Sequence, residues 1–574
     1  MSRSRVPVVA AYLALAIGVV NIVRAVHPAF WHTRFAGAAA VLPGVAGSLA
    51  GATSLVAGIL LIMIAHALRR RKRRAWRLVI VLLPVSALAE VLRWGHFITA
   101  AITTALFVVL LAARKEFFAL SDPRTRRRSL WVLLLLCVAD VAVGWAVVNA
   151  HSRAMIGAPG VADRFQEVLL GLVGLDGPVR FTPQRTADLV YFSLLGLGAL
   201  TAVMTLYLAL RPDRPVAGLS PEQERAVREL LKRYGARDSL GYFAQRRDKS
   251  AIFSASAKAA ISYRVVAGVM LASGDPLGDV EAWPGAIKEF MAKARRHAWV
   301  PAVIGCSQTG GRVWCRQAGL SALEIGDEAV VEVAGFGLEG REMRNVRQMV
   351  HRIERAGYVC AVRRGADLGA QERDRIRQAA KAWPGRGRER GFSMALGRIG
   401  DPADPDCVVV TAHKVADPAT SPPWRPRWGD LRAILQFVPW GPHGLSLDLM
   451  CRERGGDPGL NELLIVELLR AAPGLGVTRV SLNFAMFRSA LAGGERLGAG
   501  PVLRAWRALV IFLSRWFQIE SLYRFNAKFQ PRWEPRFLIY PATRDLPRIG
   551  FAALQAEGFI PPVRLPARFA PSLQ

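Results

Sequence analysis

The sequence has few cysteines, and no two of them form a C-x-x-C pair. The six are scattered between Cys137 and Cys451. This spacing argues against a zinc site and against a disulfide framework, and it fits thiols that stay reduced in the cytosol. We therefore expect no metal site in this protein.

Acidic residues are also scarce. Aspartate and glutamate number 44 against 76 lysines and arginines, which gives a formal net charge of +32. A field of this sign attracts polyanions, meaning nucleic acid or an anionic membrane surface. A chain of 574 residues is too long for one hydrophobic core, so we expect about two to four domains.

Hydrophobic residues, in contrast, make up 52% of the chain and are concentrated toward its N-terminal end. Six apolar runs cover residues 8–26, 45–68, 76–92, 97–113, 130–149 and 189–210. Most approach the ~20 residues that a helix needs to cross ~30 Å of hydrocarbon. The pattern predicts an all-α transmembrane bundle of about six helices over residues 1–212.

Basic clusters lie between alternate runs, at residues 3–5, 69–74 and 114–128, whereas loops 27–43 and 150–186 carry fewer cations for their length. The positive-inside rule places these clusters, and both ends of the bundle, in the cytoplasm. We predict a multi-pass protein of the bacterial cytoplasmic membrane. A specific site for anionic lipid in these clusters is the alternative interpretation.

After residue 218 the pattern changes to mixed strands and helices. Two successive α/β units, 218–390 with a linker helix near its end and 391–550, precede a tail at 551–574. Such repetition suggests a duplication. Strands are predicted at 300–305, 407–414, 432–439, 444–450 and 477–483, and helices at 283–297, 340–355 and 461–471.

Cations alternate with aromatic residues between residues 520 and 540. Guanidinium and ammonium groups pair with phosphate, and rings stack on bases, so the segment suits a phosphate-bearing ligand. A solvated amphipathic helix followed by a core strand is the alternative. Arg524 and Lys528 share one helical face. Arg532 and Arg536 follow prolines and are expected to hold the turn or to face anionic headgroups.

The predicted helix at 340–355 carries five arginines, mostly on one side. Arg344 and Arg347 are therefore candidates for binding RNA phosphates. A solvated basic face explains the pattern equally well.

Several motifs of the C-terminal part occur together in one order. They are R-D-K-S (247–250), G-D-P-L-G-D (274–279), E-G-R-E-M-R-N-V-R-Q (339–348), R-E-R-G-F-S (388–393), L-S-L-D-L-M (445–450), S-L-N-F-A (481–485) and Y-R-F-N-A-K-F-Q-P-R-W-E-P-R (523–536). In this set the chain resembles the phosphatidylglycerol lysyltransferases, also called multiple peptide resistance factors, of the actinobacterial type.

This resemblance implies a cytosolic α/β (α+β) tandem of GNAT-like acyltransferase folds, the second carrying the active site. They would move an aminoacyl group, lysine by default, from aminoacyl-tRNA to a glycerol hydroxyl of phosphatidylglycerol. The product weakens attraction for cationic peptides. No cofactor is expected beyond aminoacyl-tRNA as co-substrate, and a separate lysyl-tRNA synthetase would supply lysyl-tRNA. The amino acid transferred, the acceptor lipid and homo-oligomer formation stay open.

Such an ester exchange needs proton removal from the attacking hydroxyl, stabilisation of an oxyanion, and cations for two phosphate-bearing substrates. On the resemblance, Asp448 binds the donor amino group or orients the hydroxyl. Alternatively it caps a turn at a strand end. The predicted catalytic residues are Asp448, Lys528, Arg524, Glu520 and Arg452, and the predicted substrate-binding residues are Asn483, Asn526, Arg344 and Arg347.

One departure from the family pattern is evident. The usual D-L-M-R reads here as Asp448-Leu-Met-Cys451, so Arg452 or Arg454 would have to replace the missing arginine. On a strand, a shift by one residue points a side chain to the opposite face. Whether Cys451 impairs activity stays open, and a cysteine nucleophile is an alternative.

Two other functions compete with this one. An acyl-CoA-dependent acyltransferase would need a Q/R-x-x-G-x-G/A loop to bind pyrophosphate through backbone N–H groups, and the sequence has no clean copy of it. A lipid flippase or scaffold with an inactive cytosolic domain is the non-enzyme alternative. The six predicted spans are fewer than in larger family members, which does not favour flipping.

Overall fold

The computed structural model describes the chain from residue 97 to residue 560, with gaps, and short stretches before it. The described residues are 9–16, 19, 59–60, 62–65, 67–69, 73, 75–81, 84, 97–117, 123–175, 177–210, 218–383, 391–415, 429–486 and 519–560. They form two compact units, residues 1–214 with 295–298 and residues 215–294 with 299–574.

Helices make up the regular structure described in the first unit. Those with defined bounds are α1 (Phe97–Ala112), α2 (Pro123–Ala150), α3 (Val161–Leu172) and α4 (Gln184–Leu210), and shorter helical stretches precede them. Two segments of the described residues, Trp131–Ala150 and Gln184–Tyr207, are long and apolar enough to cross a membrane. They match the last two predicted runs. The first three runs lie largely outside the described residues, so the six-helix bundle stays a prediction.

Helix α3 was not predicted, because it falls within the loop at 150–186. Close packing at glycines fixes it against α2 and α4. A Cβ on Gly171 would lie 2.5 Å from Leu194 Cδ1, and one on Gly198 would lie 1.9 Å from the carbonyl oxygen of Leu172. Only residues without a side chain allow this approach, which is typical of helix contacts in membranes.

The second unit combines eight described helices with twelve strands. The helices are α5 (Pro221–Tyr234), α6 (Trp283–Arg296), α7 (Gln308–Ala318), α8 (Arg344–Arg355), α9 (Ala370–Ala382), α10 (Leu460–Ala471), α11 (Ile519–Ala527) and α12 (Leu546–Ala556). The strands are β1 (Ser250–Phe253), β2 (Ala259–Val266), β3 (Val269–Ser273), β4 (Leu277–Gly278), β5 (Val300–Cys306), β6 (Ser321–Glu332), β7 (Tyr358–Arg364), β8 (Val408–Lys414), β9 (Asp430–Pro439), β10 (Gly444–Arg452), β11 (Arg479–Met486) and β12 (Arg532–Tyr540).

All the strands belong to one sheet, in the order β1-β2-β3-β5-β12-β6-β11-β10-β9-β8-β7, with β4 beside β2. Two neighbouring pairs are parallel, β3 with β5 and β10 with β11. A helix connects each pair, α6 in the first and α10 in the second, as a parallel crossover requires. The same succession of strands and helix thus occurs twice.

The two halves exchange their last strands. Strand β6, which ends the first succession, pairs with β11, and β12, which ends the second, lies between β5 and β6. Helix α12 then packs on β2, β3 and β5. This repetition supports the duplication inferred from sequence. The boundary at residue 390 stays a prediction. Strand β12 comes after the second succession in the chain, yet it lies in the sheet between β5 and β6 of the first.

Amphipathic patterns explain which helix faces are buried. In α8, Val346, Val350 and Ile353 recur at helical spacing and pack with α10 on one face of the sheet. On the other face, Ile376 and Ala380 of α9 pack against β9. The predicted helices and strands of this part agree with the structure to within a few residues, a normal spread for element ends.

Strand β6 was missed, for a physical reason. Asp327 and Glu328 interrupt its apolar residues, which is a pattern untypical of a central strand. Both side chains are nonetheless buried, at 8% and 0% exposure. Glu328 is paired with Arg536, more than 200 residues away, and a local pattern cannot show such a partner.

Candidate functional site

Asp448 lies at an interruption of the sheet. The pairing of β10 with β9 shifts register between Leu447 and Leu449, so Asp448 sits in a β-bulge. The parallel pairing of β10 with β11 covers Gly444 to Ser446 and stops there. Bulges re-aim side chains and are frequent next to active sites. Beyond the pair Ser446–Ser481, β10 and β11 continue without pairing to each other. We call the region between them the strand gap.

Two N–H groups hold the Asp448 carboxylate. Leu396 donates its backbone N–H to Oδ1 at 2.7 Å, and Gln436 donates from Nε2 to Oδ2 at 2.6 Å. The side chain is half-buried. The carboxylate therefore has one fixed orientation. The contact with Leu396 also anchors a loop, so the turn-capping alternative describes part of what this side chain does.

Asn483 connects β10 and β11 at the strand gap. Its Nδ2 donates to the carbonyl oxygen of Leu447, next to Asp448. Its backbone has φ +67°, a left-handed conformation that asparagine tolerates better than most residues. Its Oδ1 is buried and has no hydrogen-bond partner among the residues that the structure describes. A buried acceptor of this kind is unusual and calls for a partner.

Helix α11 brings two more predicted residues to this region. Asn526 is 1% exposed, and its Nδ2 lies 3.4 Å from the carbonyl oxygen of Leu482 on β11. Lys528 Nζ lies 2.8 Å from Glu462 Oε1 on α10 and 5.3 Å from the centre of the Phe525 ring. The structure thus places Asn526 against β11 and ties Lys528 to α10.

Asp448 and Lys528 are held from opposite sides of the sheet. Asp448 contacts Gln436, whose neighbour on the same face of β9, Ile434, packs with α9. Lys528 is tied to α10, which packs on the other face.

The remaining predicted catalytic residues are less informative. Arg524 is exposed on α11. Glu520 lies in the same helix, but its side chain is outside the described residues. Arg452 ends β10, and its guanidinium lies 3.4 Å from the carbonyl oxygens of Gly456 and Asp457. Cys451, beside it, is half-buried in the hydrophobic cluster on the α9 face.

The arginines of α8 divide into two kinds. Arg347 donates from Nη1 to the carbonyl oxygens of Leu338 and Gly340, so it folds the loop before the helix. Arg344, at the first turn, is exposed, as are Arg352 and Arg355. Arg352 and Arg355 each donate one exposed hydrogen bond to a backbone carbonyl, of Pro458 and His351. These exposed arginines remain candidates for phosphate binding, whereas Arg347 is half-buried against the loop.

The prediction that Arg536 faces anionic headgroups, one of its two alternatives, is wrong, because this residue is 3% exposed. Its guanidinium reaches Asp238 Oδ1 at 2.7 Å, Glu328 Oε2 at 2.9 Å and Ser239 Oγ at 2.6 Å. Burial alone lowers the pKa of Arg536, but Glu328 and Asp238 outweigh it and hold the pKa well above its ordinary value. Arg532, in contrast, is exposed and pairs with Glu534.

Lys249 of the R-D-K-S motif is fully buried. Its Nζ donates to the carbonyl oxygen of Phe243 at 3.0 Å and to Ser273 Oγ at 2.7 Å, and it lies 4.5 Å from the centre of the Phe392 ring. Burial, reinforced by Arg246, lowers its pKa to about 7. This motif residue therefore packs one half of the fold against the segment that carries Phe392.

Two features were missed by the sequence analysis. Gln436 was passed over inside an apolar strand, although a lone glutamine there is itself a signal. A cleft of about 690 Å³ begins at Gly444 and Leu445 and is lined by Arg228, Tyr242 and Gln245, among others. Its volume suits a small-molecule site. Asp448 is not in its lining, so the cleft and the strand gap are separate features.

Comparison with known proteins identifies the class and then the family. Residues 2–207 match the model described as the transmembrane region of lysyl-tRNA synthetase, which places the chain among proteins with an N-terminal transmembrane region. Residues 228–540 match the C-terminal model of phosphatidylglycerol lysyltransferase. The chain belongs to the phosphatidylglycerol lysyltransferase family, and the resemblance drawn from its motifs is confirmed.

Curated relatives include the lysylphosphatidylglycerol biosynthesis bifunctional proteins LysX of Rhodococcus jostii and Mycolicibacterium vanbaalenii. They are 42% identical over 531 and 520 residues, which cover 88% of this chain and 45% and 46% of theirs. The chain spans about half the length of these relatives. The structure of L-PGS from Bacillus licheniformis matches with a TM-score of 0.50 at 21% identity, over 59% of this chain and 97% of that one, which shows the fold alone.

Proposed function

We propose that this protein transfers an aminoacyl group, lysyl in the first instance, from aminoacyl-tRNA to a glycerol hydroxyl of phosphatidylglycerol. The observation that carries the proposal is Asp448, held by two N–H donors in the bulge beside the strand gap. The names of the family and of the relatives favour lysine and phosphatidylglycerol as the groups that are joined.

The reaction exchanges one ester for another. The glycerol oxygen forms a bond to the lysyl carbonyl carbon, the bond from that carbon to the ribose oxygen breaks, and the proton of the attacking hydroxyl ends on the ribose oxygen. Asp448 orients that hydroxyl or holds the α-ammonium group of the donor. The unpartnered Oδ1 of Asn483 supports binding of an N–H donor such as an ammonium group beside it.

The charge that develops on the carbonyl oxygen needs a cation or aimed N–H groups. Lys528 is the candidate, since its ammonium is oriented by Glu462 and it follows α11, whose Asn526 contacts β11. In this proposal Lys528 approaches the reacting ester from the α10 side while Asp448 approaches from the α9 side. The separation of the two groups by the sheet favours a substrate that threads between β10 and β11.

The donor is proposed to dock through exposed arginines. Arg344, Arg352 and Arg355 lie on α8, and Arg524 lies on α11. Their charge, together with the net charge of +32, suits the phosphate backbone of tRNA. A synthetase activity outside residues 1–574 would supply the lysyl-tRNA.

The acceptor lipid is proposed to reach the site from the cytoplasmic membrane. Two long apolar helices support membrane insertion of the first unit, and the basic clusters at 69–74 and 114–128 favour a cytoplasmic location for the loops that carry them. A multi-pass topology with the C-terminal part in the cytoplasm would place both substrates on the same side.

Expression in a bacterial host without aminoacylated lipids tests this function. Lipid mass spectrometry should show a new phosphatidylglycerol species heavier by one lysyl group, and its amino acid is read from the fragment ions. Asp448→Asn should abolish it, whereas the matched exposed change Asp367→Asn should not. Absence of any aminoacyl lipid, with abundant protein in the membrane fraction, would overturn the proposal.

A further inference from the structure

Gln436 is a buried amide in an apolar stretch of β9. Its side chain bonds to Asp448 and to the backbone of the segment that contains Arg398 and Gly400. Gln436 is 1% exposed. Its Nε2 donates to Asp448 Oδ2 at 2.6 Å and to the carbonyl oxygen of Arg398 at 2.8 Å, and its Oε1 accepts from the Gly400 N–H at 3.0 Å. A buried polar side chain is tolerated only with such partners.

The second donor to Asp448 comes from the same segment. Residues 391–400, which we call the strap, lie across the face of the sheet that carries Gln436. The backbone N–H of Leu396 in the strap donates to Asp448 Oδ1 at 2.7 Å. Thus one carboxylate oxygen is held by the strap and the other by the glutamine that the strap holds.

The strap is itself fixed near its start. The Glu557 carboxylate accepts from the Phe392 N–H at 2.6 Å and from Ser393 Oγ at 2.6 Å. Arg246 donates from Nη1 to the carbonyl oxygens of Gly391 and Ala395. Glu557 and Arg246 are 4% and 5% exposed, so water competes little for these bonds. Glu557 follows α12 and Arg246 precedes β1, both far from Asp448 in sequence.

We propose that Gln436 and the strap are the positioning device for Asp448, so that Gln436 is a positioning residue for the transfer reaction. This inference rests on the proposed role of Asp448. Gln436 does not touch substrate. It fixes the rotation of the carboxylate, while Glu557 and Arg246 fix the strap, and the orientation of the site group then depends on elements from both halves of the fold.

Substitution of the amide by a carboxylate gives a distinctive signature. Gln436→Glu keeps the shape but places a second acid within hydrogen-bond distance of Asp448, and like charges raise the proton affinity of such a pair. The other charged groups nearby are already engaged, since Arg398 pairs with Asp404 at 2.5 Å and lies 3.9 Å from Asp401. Cys407, close to Asp448, has a pKa raised by burial and by Asp404.

The test compares Gln436→Glu, Gln436→Leu and the exposed control Gln317→Glu in the full chain, purified in detergent and supplied with lysyl-tRNA and phosphatidylglycerol vesicles. We expect kcat to fall at least tenfold in Gln436→Glu at neutral pH, with little change in KM, and the acid limb of the pH–rate profile to move upward by about one unit. Gln436→Leu should lose kcat without that shift, and Gln317→Glu should match the wild type.

A second measurement covers variants that fold poorly. Glu557→Gln leaves Gln436 in place and weakens the grip on the strap, and it should lower kcat per folded molecule. Wild-type kcat and pH profile in folded Gln436→Glu would overturn the inference. If instead Asp448→Asn retains full activity, the proposed role of Asp448 fails. If Asp448→Asn is inactive but Gln436→Glu behaves like the wild type, only the positioning role of Gln436 is overturned.

Discussion

Arg536 Nη1 lies 2.7 Å from Asp238 Oδ1, and 298 positions separate the two residues in sequence. Both side chains are buried, at 3% and 5% exposure. Arg536 lies on the exchanged strand β12 and also binds Glu328 on β6. This ion network therefore lies where the two halves of the sheet have traded strands, and it ties the C-terminal strand to the first half.

Removal of Arg536 should destabilise the fold strongly. Arg536→Met leaves the carboxylates of Asp238 and Glu328 buried without their cation, and breaking a buried pair from one side costs about 3–5 kcal/mol. The thermal midpoint of the detergent-solubilised chain measures the effect. Arg532→Met is the matched control, because Arg532 is exposed and its pair with Glu534 should contribute about 0–1 kcal/mol. Equal midpoints for the two variants would contradict this account of the network.

Lys249 should make stability depend on pH. Its folded pKa of about 7 lies below its ordinary value of 10.5, so between these values the unfolded chain binds more protons than the folded one. Stability from this group therefore increases as pH rises from about 7 toward 10. Thermal midpoints measured from pH 7 to 9 should rise more steeply in the wild type than in Lys249→Met. Parallel curves would show that the buried lysine keeps its proton throughout this range.

Lys528 should have a structural and a catalytic effect that can be separated. Lys528→Met leaves the Glu462 carboxylate, 8% exposed, without its cation, and this should cost about 1–3 kcal/mol of stability. The double variant Lys528→Met, Glu462→Met removes both charges and should recover stability. Lysyl transfer should stay absent in both, as measured by lipid mass spectrometry. Recovery of transfer in the double variant would reduce Lys528 to a structural role.

Cys451 should be dispensable for the chemistry. Its side chain is half-buried in the cluster with Ile434 and Leu449, which is where packing, and not nucleophilic attack, is expected. Cys451→Ser should keep transfer within about threefold of the wild type, because a packing change alone costs under about 1 kcal/mol at a half-buried site. A complete loss of product, with folded protein present, would support the alternative in which Cys451 is the nucleophile.

Local patterns in the sequence predicted much of the fold, and the reasons for the failures are specific. Strands such as β5 and β8 are short apolar runs rich in β-branched residues, and their length and composition indicate strands. Strand β6 was missed since the partners of Glu328 are Arg536 and Ser481, both far from it in sequence. No local sequence pattern indicates the exchange of β6 and β12, because strand pairing depends on contacts across the whole sheet.

The residues of the candidate site were likewise predicted only in part. Asp448 and Asn483 were found through motifs, and the structure places them on neighbouring strands at the gap. Gln436 was not found, since its partners lie on the strap and on β10. The orientation that it imposes on Asp448 is a property of three segments together, which no single stretch of sequence contains.

We propose that Asp448 serves the transfer of a lysyl group from tRNA to lipid. The direct measurement uses the purified full chain with lysyl-tRNA carrying labelled lysine and phosphatidylglycerol vesicles, and it follows label in the extracted lipid. We expect label in lipid with wild type and with Asp367→Asn, and none above background with Asp448→Asn. Labelled lipid at the wild-type rate from Asp448→Asn, or no labelled lipid from the wild type, would contradict it.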